Sequence, residues 1–173
     1  YFAAFKVPVI IARSSNNFGP YQHVEKLIPL FVTNSVENKK LPLYGDGLNM
    51  RDWLYVMDNC EAIDFLMNNG VEGNVYNVGA NNEKTNIEIA QAILKELDKP
   101  NSLIEFVKDR ASHDRRYALN WDKIRNLGWK PRHKFDDALK HTIRWYLENK
   151  WWWTKIKKGR FKNYYEKQYV KRQ

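Results

Sequence analysis

The chain has 173 residues, of which 43% are hydrophobic and 14% aromatic, too apolar for a disordered polypeptide and enough for one domain with a core. Its single cysteine, Cys60, excludes an intrachain disulfide, and no stretch approaches the ~20 apolar residues of a membrane-spanning helix. The net charge of +9 invites a nucleic-acid partner, but residues 150–173 carry nine Lys and Arg against one acid, Glu166, so the excess sits in the tail.

The elements follow from local pattern. Val7 to Ala12 is short, apolar and β-branched and predicts a buried strand. Ser14 to Pro20 predicts a polar loop. Glu25 to Asn38 predicts a helix, with Pro29 at its fifth position separating or kinking the first turn. Leu41 to Tyr44 predicts a strand, placed at an edge by Pro42. Gly45-Asp46-Gly47 is a turn, and Arg51 to Val56 a strand.

A helix follows from Asp58, read as its N-cap, to Asn69, with Cys60, Ile63, Leu66 and Met67 read as core. Gly70 and Gly73 lead into the strand Asn74–Val78. Thr85 and Glu88 have capping-box spacing, and Ile87, Ala90, Ile93, Leu94 and Leu97 share the face of the helix behind them. Leu103 to Val107 predicts a strand, Trp121 to Leu127 a short helix, and Phe135 to Asn149 the clearest helix. From Trp151 onward no clean period is visible. Strands alternating with helices predict an α/β fold, with a body over 1–149 and a basic aromatic tail over 150–173.

Three segments carry candidate chemistry. Asn16 and Asn17 follow the first strand, where open α/β sheets place ligands; they either meet a ribose or phosphate or hold their own turn. Asp109 to Tyr117 is dense in groups that hold anions, or is a solvated charged loop. Arg51, beside Trp53 and Tyr55, is either a phosphate clamp or a cation stacked on a ring.

Other motifs fail. Gly45 to Met50 starts like a dinucleotide fingerprint but leads to a strand. Tyr146 and Lys150 have Tyr-x-x-x-Lys spacing, yet Tyr146 lies on an apolar helix face. The four histidines lack metal-ligand spacing, so no metal is expected.

Several pieces in order resemble one family: Ser15-Asn16-Asn17-Phe18-Gly19-Pro20-Tyr21, Glu25-Lys26-Leu27-Ile28-Pro29-Leu30, Leu43-Tyr44-Gly45-Asp46-Gly47, Arg51-Asp52-Trp53-Leu54-Tyr55-Val56, Tyr76-Asn77-Val78-Gly79, Asn82-Glu83-Lys84, His113-Asp114-Arg115-Arg116-Tyr117 and Leu127-Gly128-Trp129-Lys130-Pro131. Together they resemble the C-terminal part of dTDP-glucose 4,6-dehydratases, of the extended short-chain dehydrogenase/reductase superfamily. The resemblance implies the last piece of an NAD(P)-binding Rossmann-type sheet, with mainly the smaller, substrate-binding domain.

It also implies roles. Asn17 falls near the nicotinamide of NAD, the implied cofactor, and Asn16 at the nucleotide sugar. Lys26 and Leu27 fall at the substrate. Pro42, Leu43 and Tyr44 run along the base, and Arg51 meets the diphosphate. Asn86 with Asp109, Arg110, Ala111, Ser112 and His113 completes the nucleotide pocket. The implied reaction removes hydride from C4 of glucose, eliminates water across C5 and C6, and returns hydride to C6.

In that family the Gly-rich fingerprint, the Tyr-x-x-x-Lys pair and the acid/base carboxylates lie upstream, so no catalytic residue is expected here. The expected partners are dTDP-glucose or a related nucleotide sugar, the N-terminal half of the enzyme, and further copies in a homo-oligomer. No leader, membrane segment or nucleic-acid face is expected, and the expected compartment is the cytoplasm. The basic tail is expected to be longer and more aromatic than the family's. The other readings are a UDP-sugar epimerase or decarboxylase of the same superfamily, binding of nucleic acid or another anionic surface through the tail, and an interaction module docking through Trp151, Trp152 and Trp153.

Overall fold

Short β-branched and aromatic runs between Gly, Pro and Asn favour brief strands between helices. The computed structural model has that α/β arrangement; it describes residues 1–159 with Phe161, Tyr165, Glu166 and Tyr169. Its elements are α1 (Phe2–Phe5), β1 (Ile11–Ser14), β2 (Asn16–Phe18), α2 (Leu27–Val36), β3 (Leu41–Tyr44), β4 (Met50–Tyr55), α3 (Val56–Asn69) and β5 (Val75–Val78). Then follow β6 (Glu83–Thr85), α4 (Asn86–Glu96), β7 (Ile104–Val107), β8 (Arg116–Tyr117), α5 (Asp122–Asn126), α6 (Phe135–Glu148) and α7 (Lys150–Lys158).

Strand β4 organises the largest sheet. Its Trp53–Tyr55 half runs parallel to β2, and its Met50–Asp52 half pairs antiparallel with β6 and, through Met50 and Arg51, parallel with β8. Two parallel pairs stand apart from it, β1 with β5 and β3 with β7. The β1–β5 pair is the piece that suits a Rossmann-type sheet.

The larger core gathers α2, α4 and α6 around Phe18, Phe31, Trp53 and Tyr55. A smaller one joins Leu54, Ala62, Leu66, Tyr76, Val78, Trp121, Ile124 and Trp129. Burying such side chains contributes ~1.5–3 kcal/mol each. Between the cores, the buried Asp52 carboxylate accepts N–H bonds from Ala80 (3.0 Å) and Asn82 (2.9 Å). The loop comes this close because residue 79 is glycine: a Cβ there would stand 2.6 Å from Asp52 Oδ2.

The capping box holds: Thr85 accepts from the Glu88 N–H, and Glu88 accepts from the Thr85 N–H. Phe135, Ala138, Leu139, Thr142, Ile143 and Tyr146 are the buried residues of α6; the Tyr146 hydroxyl donates to the Gln22 carbonyl, so packing accounts for it.

Several expectations need correction. The first strand is Ile11–Ser14, displaced toward the loop because it takes its register from β5; Ile11 is half exposed. The expected loop at 14–20 contains β2, recruited by β4. The separate turn expected ahead of Pro29 is present at His23–Lys26; only the helix start moves, to Leu27, which puts Pro29 in the first turn, where its missing N–H costs nothing. Asp58 is not an N-cap, since α3 starts at Val56; it accepts instead from the Arg132 and His133 N–H groups and contacts His133 Nδ1. Cys60, Ile63 and Met67 are exposed, because α3 turns Asp58, Ala62 and Leu66 inward.

The region beyond 150 also differs from its reading. Residues 150–158 form α7, and Trp153 is buried with its indole N–H donating to the Tyr146 carbonyl at 2.8 Å. Trp152 is half-buried and Trp151 exposed. Lys157 sits 2.7 Å from Glu37 and also donates to Thr33 and Asn34. Arg160, Lys162, Lys167, Lys171 and Arg172 of the basic tail lie outside the described residues.

Trp153→Ala should cost about 3–5 kcal/mol in urea unfolding, whereas Trp151→Ala should stay within about 0.5 kcal/mol. A second expectation concerns Glu37. Burial raises its pKa, but the Lys157 and Lys39 hydrogen bonds outweigh that and leave it below the ordinary 4.5. A lowered folded pKa stabilises above the ordinary value, and that contribution disappears as pH falls through the lowered one. The stability gap between wild type and Glu37→Gln should therefore narrow as the pH falls below the ordinary 4.5 in denaturation series.

Candidate functional site

Several segments converge on one open cavity of about 250 Å³. The approach to α2 contributes Glu25 and Lys26, and the helix itself Leu27, Leu30 and Phe31. Strand β3 contributes Pro42, Leu43 and Tyr44, and β4 contributes Arg51 and Trp53. Asn16 comes from β2, Asn86 from the start of α4, Arg110 and His113 from the segment after β7, and Tyr169 from the C-terminal segment.

Each position has a local cause. Lys26 is the N-cap of α2, with no side-chain cap and no acid in the first turn, so the positive end of the helix dipole adjoins the cavity, with Glu25 the nearby acid on its wall. The Lys26 ammonium lies 3.1 Å from Glu25. Strand β3 lines the cavity because its parallel pairing with β7 brings the segment carrying Arg110 and His113 alongside Tyr44. Gly45 and Gly47 then reverse the chain at φ 57 and 74, geometry that favours glycine. Asp46 secures that turn by accepting from Leu48 N–H and, bidentately, from Arg115 at 2.7 and 3.0 Å. The Arg115 hydrogen bonds lead in holding its pKa down at about 2.

The electrostatics are cationic. Burial lowers the Arg51 pKa, the Asp114 charge works against this, and the Arg110 charge adds to it. Arg51 donates to the Met50 carbonyl at 2.6 Å, and Arg110 stands 5.6 Å over the Tyr44 ring. Among the described residues neither guanidinium is ion-paired with a carboxylate. Two guanidiniums beside an open helix N-terminus make a place for a diphosphate. Asn86 adds a buried carbonyl oxygen, Oδ1, with no hydrogen-bond partner among the described residues.

Ten of the residues singled out from the sequence line this cavity: Asn16, Lys26, Leu27, Pro42, Leu43, Tyr44, Arg51, Asn86, Arg110 and His113. Asp109, Ala111 and Ser112 do not. Asp109 stands behind the wall, accepting from Arg110 N–H at 2.8 Å and lying 2.6 Å from His113 Nδ1. The His113 hydrogen bond leads in lowering its pKa. Ala111 and Ser112 are exposed in the bend between Arg110 and His113. Asn17 also lies off the wall: its amide donates to the Ser15 carbonyl, its own carbonyl accepts from Gln22, and its Oδ1 is buried without a partner among the described residues.

The sequence reading missed Glu25, Leu30, Phe31, Trp53 and Tyr169 on this wall. Leu30 and Phe31 carry a helix-period signal and Trp53 alternates with Arg51, so these were within reach. Tyr169 shares a four-residue spacing with Phe161 and Tyr165, but nothing local brings it to Tyr44; tertiary packing does.

Comparison with known proteins bears on the family and the fold. The family model described as GDP-mannose 4,6 dehydratase matches residues 1–142. A dTDP-glucose 4,6-dehydratase from Neisseria meningitidis is 44% identical over 94% of this chain and 49% of its own length. One from Escherichia coli is 44% identical over 98% of this chain and 49% of its own, so most of the basic tail falls inside the match. The crystal structure of dTDP-glucose 4,6-dehydratase from Bacillus anthracis, in complex with NAD, superimposes with a TM-score of 0.86 at 52% identity, covering 90% of this chain and 50% of that one. The chain thus spans about half the length of the relatives it matches. Sheet pairing, cavity and sequence identity lead to one assignment: the chain belongs to the GDP-mannose 4,6-dehydratase family, where it is similar to the C-terminal part of dTDP-glucose 4,6-dehydratases.

Proposed function

We propose that this chain is the nucleotide-sugar-binding portion of an NAD-dependent dTDP-glucose 4,6-dehydratase, converting dTDP-glucose to dTDP-4-keto-6-deoxyglucose. The observation that carries this reading is the convergence of Arg51, Arg110 and the open N-terminus of α2 on one cavity walled by Pro42, Leu43 and Tyr44. Arg51 and Arg110 neutralise the diphosphate, β3 flanks the base, and Asn86 offers its buried acceptor to a ligand hydroxyl or N–H. Asn16 and Lys26 meet the sugar side, with Asp109 holding His113 and the intervening Ala111 and Ser112 in place.

NAD, when bound, supplies the hydride acceptor that 4,6-dehydration requires. Asn17 suits the edge of that site, because its buried Oδ1 is an acceptor fit for a carboxamide N–H. The chain's share of the reaction is to bind and orient the nucleotide sugar; the groups that move protons belong to the upstream half of the family's sequence. That half suits the edge of β1 left unpaired among the described residues and the exposed stripe Met57, Cys60, Ile63 and Met67 on α3. Left alone, the chain should self-associate through this face, and a homo-oligomeric enzyme in the cytoplasm is the setting we infer.

Calorimetric titration tests the reading. dTDP should bind more tightly than UDP, and Arg51→Ala should weaken dTDP binding by about tenfold to a hundredfold, the loss of charge-assisted hydrogen bonds. Equal binding by wild type and Arg51→Ala would contradict it. Asn86→Ala should weaken dTDP about fivefold while leaving the thermal midpoint unchanged or higher, since the substitution removes a buried acceptor without a protein partner.

A further inference from the structure

The wall of the cavity includes a residue from the far end of the chain. Phe161, Tyr165 and Tyr169 recur every four residues, the spacing of one helical face. Their rings stand in series, 6.0 Å from Phe161 to Tyr165 and 5.0 Å from Tyr165 to Tyr169. The first is buried in the larger core. The second is fixed to α2, where the Asn34 amide donates to its hydroxyl at 3.3 Å. The third reaches the cavity, its ring centre 5.8 Å from that of Tyr44 with the planes 36° apart.

Resting on the nucleotide-pocket reading, we propose that Tyr169 is a ligand-binding residue that stacks on the nucleoside base opposite Tyr44. The C-terminal segment thereby contributes the outer wall of the base subsite. Two aromatic rings at one edge of a cationic cavity divide it chemically: the guanidiniums serve the diphosphate, and the ring faces serve a flat, weakly charged heterocycle. Tyr44 sits on a strand and is braced edge-on by His113. Tyr169 follows a core anchor, so its ring is held at the cavity without being locked in a sheet.

A base between two rings needs about 7 Å between them, two contacts of about 3.5 Å each. The present 5.8 Å therefore opens by about an ångström when a base enters, with Tyr165 remaining on Asn34. Stacking is tolerant of base identity, so Tyr169 contributes affinity while the strand backbone discriminates.

The test uses the full 173-residue chain with dTDP as probe. Tyr169→Ala should weaken binding about tenfold or more, and Tyr169→Phe, which keeps the ring, should stay within about twofold. Wild-type protein should show intermolecular NOEs between thymine protons and the Tyr169 ring, a readout independent of how the alanine variant folds. Unchanged or tighter binding by Tyr169→Ala, or no such NOEs, would overturn the proposal, and a retained Arg51→Ala defect would leave the pocket reading intact. No dTDP binding by the wild-type chain would overturn both.

Discussion

Strand β4 has to satisfy two cores and a cavity with six residues, and the period-two alternation of a strand is what allows it. Trp53 and Tyr55 enter the larger core on the face that also carries Arg51 to the cavity. Asp52 and Leu54 point the other way, Leu54 into the smaller core and Asp52 to the N–H groups of Ala80 and Asn82. A one-residue slip would exchange the faces, burying Arg51 in apolar surroundings and stranding Asp52. The partners on either side, β2, β6 and β8, take their positions from this strand, as does the tight approach at Gly79.

That constraint explains how a cation without a carboxylate ion pair among the described residues persists at the cavity. Arg51 emerges from a strand buried along most of its length, so its guanidinium is partly desolvated and gains more from an anion than an exposed arginine would. Arg110 increases the local positive charge, and its placement depends on the short bracing of Asp109 against His113. The ion pairs at Asp46 with Arg115 and Glu83 with Arg116 lie on exposed surface and hold loops rather than supply much stability.

The end of the chain belongs to this structure. Trp153 bonds the Tyr146 carbonyl, Lys157 reaches Glu37 across α2, and Tyr169 stands at the cavity. Burial lowers the Lys157 pKa while Glu37 opposes the shift, so this charge is spent on packing the segment against α2. Tyr21 rests against Trp145 and Trp152, tying the turn ahead of α2 to the same aromatic group. The positive balance of the segment is therefore partly internal, which composition does not reveal.

Sequence alone determined the helices with strong local signals: the Thr85–Glu88 capping box, the 3.6-residue period of α6 and the stop at Gly128 all act within a few residues. It also marked ten of the residues on the cavity wall, through polar and aromatic groups placed at strand and helix ends and the family pattern they form. Tertiary structure decided what depends on distant partners. Strand β2 exists because β4 lies beside it, and β1 begins at Ile11 because β5 sets its register. Cys60 is exposed because α3 packs through Ala62 and Leu66, and Asp58 serves the segment at 132–133 because that segment crosses the start of its helix. Tyr169 joins the wall through its contact with Tyr44, with Tyr165 bonded to Asn34 of α2. A local period shows at most which residues share a face; which distant segment that face meets is written in neither segment, so only packing could place these residues.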